Sequence, residues 1–347
     1  MITVLNGLSG KYFSCTIPDV AFTINGYRAA VTMTVDGTKI YDELLYPIDS
    51  KITLSDLGDL LTTYVKNSLV SHLQLNIVEE MQDSNVTYNE TIEADVIYCV
   101  ADFGMDAEEF CSRHFLTILQ GVKETALNRL EYLHYLGNDA AAVRAYYDDG
   151  SLADFNLVPV GGNGRYTTID VTPSQFDAQD KTLVNFVVTA GNRTQEFSMD
   201  LENPDCAPIL IFDNSFGVEE LLYCTGSHVV SPSYKRDAAW MNGKQRNYNI
   251  EETRTFKADT GIMNTAMANW ADELFRSSYV RVVNFYNGFP NVGKEVLITD
   301  SKSEYSNEDS TLIRYTFSYQ YSQRNQNVVD MQREGRIFDN TFDHTFQ

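Results

Sequence analysis

The stretch Arg28-Ala29-Ala30-Val31-Thr32-Met33-Thr34-Val35-Asp36-Gly37-Thr38-Lys39-Ile40-Tyr41 decides how the fold is read. Arg28 to Val35 is rich in β-branched residues and reads as a strand. Asp36-Gly37 is a dipeptide that tolerates positive φ at both central positions of a two-residue turn, so the chain reverses and resumes as a second strand. Upstream, Ala21-Phe22-Thr23-Ile24 runs into Asn25-Gly26, which reads as another hairpin. Downstream, Leu73 to Val78 alternates as a half-buried strand does, and Glu93 to Ala101 is a further strand. Between them, Leu57, Leu60, Leu61, Tyr64 and Val65 fall at helical spacing. Residues 1–104 therefore read as a β-sandwich-like module with a helical insertion.

The same style continues. Val143 to Tyr147 runs into Asp148-Asp149-Gly150, Leu157 to Val160 meets Gly161-Gly162-Asn163-Gly164, and Tyr166 to Val171 resumes. Leu183 to Thr189 turns at Ala190-Gly191-Asn192, returns as Thr194 to Met199, and Pro208 to Phe212 closes the set. Turn signals at this spacing predict a second sandwich with its connector over 105–217. A weak echo, Asp102-Phe103-Gly104 before Glu108-Glu109-Phe110 and Ser215-Phe216-Gly217 before Glu219-Glu220-Leu221, is as compatible with duplication as with chance.

After residue 217 the pattern changes. Thr253 to Lys257 reads as a strand. Ile262, Ala266, Trp270, Leu274 and Phe275 form a helical stripe, with Asp259, Thr260 and Asn264 available as caps. Strands follow at 280–285, 294–299 and 311–321, which predicts a small α+β domain over 218–327. The predicted fold class is mainly β: two β-sandwich-like modules, then the α+β domain, then a C-terminal docking arm over 328–347.

Composition narrows the function. The 347 residues carry 26 basic and 48 acidic side chains, a net charge of −22. That argues against nucleic acid, whose phosphates need a positive counter-surface, and against anionic lipid. The acidity is uneven: net −12 over residues 1–110, −7 over 111–217 and only −3 over 218–347. No segment has the length and apolarity of a membrane helix, so no membrane insertion is expected. Met1 to Gly7 lacks a basic and then apolar leader, so synthesis in the cytoplasm is expected. The five cysteines, Cys15, Cys99, Cys111, Cys206 and Cys224, show no Cys-x-x-Cys spacing and read as reduced thiols.

Residues with chemical potential are scattered. Gly161-Gly162-Asn163-Gly164-Arg165 lacks the trailing Gly and Lys-Ser/Thr of a phosphate loop and reads as a hairpin turn. No two of His72, His114, His134, His228 and His344 are spaced as a zinc pair, and no Gly-x-Ser-x-Gly elbow occurs. Asp148, Asp149 and Asp154, and Asp300, Glu304, Glu308 and Asp309, offer carboxylates for Ca²⁺ but read as solvated loop tips. A glycoside hydrolase would need two carboxyls at a set separation in a cleft, and 48 acidic residues single out no pair. No catalytic residue, metal or cofactor is assigned, and the chain is not expected to be an enzyme.

Aromatics offer binding instead. Tyr41, Tyr46, Tyr146, Tyr147 and Tyr166 could stack on sugars or on a partner. Tyr315, Phe317, Tyr319 and Tyr321 alternate and so share one sheet face, as a core, a subunit interface or a glycan platform. At the end, Phe338-Asp339-Asn340-Thr341 and Phe342-Asp343-His344-Thr345 lead to Phe346-Gln347, placing Phe at every fourth position. Burying each ring is worth roughly 1.5–3 kcal/mol, so this segment is expected to dock, on its own domain or on a neighbour.

The stretches Asp213-Asn214-Ser215-Phe216-Gly217, Leu222-Tyr223-Cys224-Thr225-Gly226, Arg246 to Gly261 and Ile298 to Tyr305, with the Phe-Asp repeat, resemble tail-associated structural proteins of phages and prophages from gut Bacteroides-type bacteria. The resemblance covers residues 210–347 and brings no catalytic residues with it. It implies a virion component, of the tail or baseplate, whose partners are other copies of itself and neighbouring virion proteins. Phe338, Phe342, Phe346, Tyr315, Phe317, Tyr319 and Tyr321 are then the expected interface residues. A carbohydrate-binding or adhesin sandwich facing a host-surface glycan is the competing reading, followed by the glycoside hydrolase.

Overall fold

The computed structural model describes residues 1–82, 87–102, 104–162, 164–178, 180–286, 289–304 and 312–323. It is mainly β, as the sequence predicts, and its sheets form β-sandwich-like modules.

The first sandwich holds β1 (Thr3–Asn6), β2 (Lys11–Phe13), β3 (Val20–Thr23), β4 (Arg28–Val35), β5 (Thr38–Leu45), β6 (Lys51–Leu54), helix α1 (Leu57–Val65), β7 (Val70–Glu80) and β8 (Thr87–Ile97). A three-stranded sheet, β1-β3-β6, faces a five-stranded sheet, β2-β8-β7-β4-β5. Val31, Met33, Leu73, Leu75, Ile77 and Val96 point inward between them. Asp36 and Gly37 have φ of 48° and 78°, so the turn between β4 and β5 takes the predicted form. Asn25-Gly26 does not make a hairpin. It carries the chain from β3 in one sheet to β4 in the other, and both backbone N–H groups donate to Glu79 Oε1, at 2.7 and 2.6 Å.

A short helix unforeseen from the sequence, α2 (Ala107–Arg113), leads to the second sandwich; Asp106 caps it by accepting from Glu108 N and Glu109 N. There follow β9 (Val122–Thr125), β10 (Tyr132–Leu136), β11 (Ala141–Tyr147), β12 (Leu152–Leu157), β13 (Pro159–Gly162), β14 (Tyr166–Asp170), β15 (Leu183–Ala190) and β16 (Arg193–Met199). Its sheets are β10-β14-β13 and β12-β11-β15-β16-β9. The two five-stranded sheets match strand for strand. Each has an early edge strand running parallel to the module's last strand (β2 with β8, β9 with β16), and each ends in a C-terminal antiparallel pair flanked by an earlier hairpin. Both have the Greek-key order of immunoglobulin-type sandwiches. The similarity of the two modules is therefore topological. The Phe-Gly echo does not mark it: residues 102–104 follow the last strand of a sandwich, whereas Ser215-Phe216-Gly217 is a turn inside the third sheet, and Phe103 lies outside the described residues.

That third sheet contains β17 (Ile209–Asp213), β18 (Glu219–Tyr223), β19 (His228–Met241), β20 (Lys244–Asp259), helices α3 (Thr265–Ala271) and α4 (Glu273–Arg276), β21 (Val280–Tyr286), β22 (Phe289–Lys302) and β23 (Thr316–Tyr321). Its order is β18-β17-β21-β22-β23-β20-β19, antiparallel throughout. Residues 209–213 therefore belong here, and do not close the second sandwich as the sequence reading has it. Turn spacing marks where strands end but not which strand they pair with. Asn264 is the cap of α3, accepting from Met267 N, and Trp270 and Leu274 pack on the sheet.

The three units pack on one another. Phe13 of the first sandwich, Phe110 of α2 and Phe216 of the third sheet form one aromatic cluster, with Phe110 and Phe216 stacked at 5.2 Å. Arg165, beside the β13–β14 turn, grips Asp36 of the first sandwich with both Nη atoms, at 3.0 and 2.8 Å. That grip holds the Asp36 carboxyl down at about 2. The Gly-rich turn is thus a hairpin, as predicted, and its following Arg braces a domain junction. Between the second and third units, the Lys123 ammonium sits 4.6 Å from the Trp270 ring centroid and pairs with the buried Glu131 at 2.6 Å.

Candidate interaction surface

The largest feature missed from the sequence is the hairpin of β19 and β20. Only Thr253 to Lys257 reads as a strand there, whereas the pair runs in register from His228↔Ala258 to Met241↔Lys244. The signal that would have found it is Asn242-Gly243, whose φ of 50° and 72° make the tip a two-residue turn.

Only its base belongs to the sheet: β20 pairs with β23 through Phe256, Lys257, Ala258 and Asp259. Beyond these, residues 244–255 of β20 pair with β19 alone, and the outer edge of β19 has no strand beside it among the described residues. At about 3.3 Å per residue the ribbon extends roughly 35–40 Å past its last buried pair. An isolated two-stranded ribbon is marginal in water, and its bare N–H and C=O groups are a template for pairing.

The alternation of side chains gives the ribbon two different faces. Val230, Pro232, Tyr234 and Arg236 on β19 lie opposite Phe256, Arg254, Glu252 and Ile250 on β20. This face is core at its base, where Phe256 is buried, and continues outward as exposed Tyr234, Ile250 and, past a bulge at Asp237/Ala238, Trp240. Trp240 is 75% exposed and Tyr248 66%. The Arg236 guanidinium lies 5.0 Å from the Tyr234 ring centroid, and Lys235 meets Glu251 at 3.8 Å. From Tyr234 to Tyr248 there are four basic residues (Lys235, Arg236, Lys244, Arg246) and one acidic residue, Asp237. The tip is therefore positive on a strongly negative chain.

The residues expected at an interface are placed differently. Tyr315, Phe317 and Tyr319 are buried inside the third unit, and Tyr321 is half-buried beside Phe256. Phe317 meets Phe275, and Tyr319 stacks on Phe256 at 4.8 Å while its hydroxyl lies 2.9 Å from His228 Nε2. Their alternation reflects a core face, so the rings of Tyr315, Phe317 and Tyr319 are not available to a partner. Phe338, Phe342 and Phe346 lie outside the described residues, as does His344. The tyrosines proposed for sugar stacking do not form one platform: Tyr46 is exposed on the first sandwich, and Tyr147 is buried in the second with its hydroxyl on Phe176 O.

The polar candidates are committed locally. Asp149 accepts from Ser151 N at 2.9 Å and Lys181 Nζ lies 3.1 Å away; Ser151 first and Lys181 second hold its carboxyl at about 2. Asp154 takes Arg144 with both oxygens, and Asp148 accepts from Thr182 N. No cluster of three or more His, Cys, Asp or Glu suited to a metal occurs among the described residues. Glu308 and Asp309 lie outside them. His72 sits 3.1 Å from Asp95, and burial holds the His134 ring at about 4, beside Thr168 and Glu219 O. All five cysteines are free thiols: burial pushes Cys111 up to about 12, whereas the hydrogen bond from Cys99 lowers the exposed Cys15. No described helix is long and apolar enough to cross a membrane.

A cleft of about 400 Å³ opens between the two sandwiches. Its charged walls are already paired: Lys11 with Glu108, Arg165 with Asp36, and Arg193 with Asp139 and the carbonyls of Cys111, Leu136 and Ala190. It reads as a bonded domain seam.

No family model and no curated protein matches the chain. Among solved structures, that of Rst D1-D2 is similar at 11% identity and a TM-score of 0.25, covering 57% of this chain and 98% of that one. The endo-fucoidan hydrolase MfFcnA4 from glycoside hydrolase family 107 is similar at 13% identity and a TM-score of 0.15. That match covers 68% of this chain and 40% of the hydrolase, so the chain spans well under two thirds of its length. Both TM-scores are too low to bear on fold or activity.

Proposed function

We propose that the chain is a structural subunit of a phage tail or baseplate, working by subunit contacts and not by catalysis. The β19–β20 ribbon is the contact element. The observation that carries this reading is the ribbon's form: a long two-stranded projection whose edges no other described strand covers, with exposed Tyr234, Trp240, Tyr248 and Ile250, braced on a three-unit body. Such a projection is stabilised when a partner covers its apolar face and edges. The resemblance of residues 210–347 to phage tail proteins, which includes the β20 strand, supports the same reading.

The test is to shorten the ribbon. A chain in which residues 232–254 are replaced by a tight Asn-Gly turn, which closes the paired Ser231 and Thr255, keeps its three units, because everything removed lies outside their cores. Sedimentation of the purified wild-type chain is expected to show self-association that this variant lacks, with both melting cooperatively. Mass spectrometry of purified particles should find peptides of the chain. A wild-type chain that stays a single 39.3 kDa species at all concentrations and is absent from particles would refute the reading.

A further inference from the structure

We infer that the ribbon of one copy docks on the acidic N-terminal sandwich of a second copy, at its edge strand β5. This rests on the subunit-contact reading above and names the partner. The first ground is charge. The ribbon segment Tyr234–Tyr248 has four basic residues against one acidic, and Lys244 and Arg246 form no ion pair among the described residues. Residues 1–110 carry 17 acidic side chains against 5 basic. Opposite potentials of this kind steer and orient association.

The second ground is the acceptor itself. β5 is the last strand of its five-stranded sheet, and nothing pairs with its outer side among the described residues. It presents Glu43 and Leu44 beside Asp42, which Lys39 of the same strand pairs at 2.5 Å, and the chain leaving it adds exposed Tyr46 and Ile48 and the acidic Asp49. Leu44, Tyr46 and Ile48 are 47%, 63% and 80% exposed. An edge that is apolar and acidic thus matches a ribbon that is apolar and basic. Bare strand edges join by continuing the ladder of main-chain hydrogen bonds. The two surfaces differ, so the contact is head-to-tail, and repetition gives a ring or an open filament.

A charge swap between full-length chains tests this. The ribbon variant is Lys235→Glu/Arg236→Glu/Lys244→Glu/Arg246→Glu. The edge variant is Asp42→Lys/Glu43→Lys. All six side chains are exposed, and thermal melts confirm that each variant folds. Each variant alone should associate about tenfold or more weakly than wild type. Mixed in equal amounts they should recover association, since a reversed ribbon then meets a reversed edge. Wild-type association should weaken as salt rises. Variants that associate as wild type does, or a mixture that fails to recover, overturn this docking mode while the subunit-contact reading stands. A wild-type chain that never associates overturns both.

Discussion

Glu273 sits where the third unit meets the first sandwich, with Oε1 accepting from Ser215 N at 3.0 Å and Oε2 without a hydrogen-bond partner among the described residues. Burial, and secondly repulsion from Glu220, raise its carboxyl to about 7. A carboxyl whose folded value lies above its unfolded value near 4.5 binds more protons when folded. Its stabilising contribution is therefore complete below about pH 4.5 and is lost as pH rises through 7. Glu273→Gln keeps the acceptor for Ser215 and removes the charge. It should melt higher than wild type at pH 8, by roughly 1–3 kcal/mol of stability, and equal it near pH 4.5. Thermal melts across that range decide the matter; a Gln variant no more stable at pH 8 would show that the site already accommodates the anion. Nothing in the local sequence distinguishes Glu273 from the other acidic residues, because its burial depends on a turn 58 positions away.

The glycines at residues 26 and 37 show how one dipeptide type serves two purposes. Gly37 has positive φ and open space around it, whereas a Cβ on Gly26 would lie 2.4 Å from Glu80 O and 2.9 Å from Glu79 Cγ. Gly26→Ala should cost about 3 kcal/mol in urea unfolding, because backbone must move. Gly37→Ala should cost about 1–2 kcal/mol through backbone strain alone. Equal costs would show that the passage between sheets has slack. What the sequence made legible were elements whose cause is local: α1 from its apolar stripe, Asp36-Gly37, the turns at Asp148 to Gly150 and Gly191-Asn192, and the Asn264 cap. Asn25-Gly26 misled because steric need, and not a hairpin, selects glycine there. The ribbon was hard to see for a related reason. Alternation becomes legible when one face is buried, and over residues 244–251 neither face of β20 is.

As a whole, the molecule is three units closed on each other. The first sandwich takes Phe110, Leu136, Phe216 and Val218 from outside residues 1–104 into its own core. Residues 1–104 produced alone should therefore lack a cooperative thermal transition, or melt well below the full chain, since each missing ring or branched side chain is worth roughly 1.5–3 kcal/mol. Calorimetry of the fragment checks this, and a transition as sharp and as high as the full chain's would show that the borrowed side chains only decorate a finished core. The pairing of β17 with β21, across some 70 residues, is the same kind of long-range closure, and turn spacing holds no information about it.

The borrowed Phe216 also has a consequence during translation. Phe13 leaves the ribosome about 200 residues before its partner does, an interval of roughly ten to forty seconds at usual elongation rates. Phe110 can fill part of the slot early, but the stack stays open until the first hairpin of the third sheet has been made. The first sandwich to be synthesised is thus completed late, and through that interval the nascent chain presents an apolar socket that a chaperone, or another nascent copy, can reach.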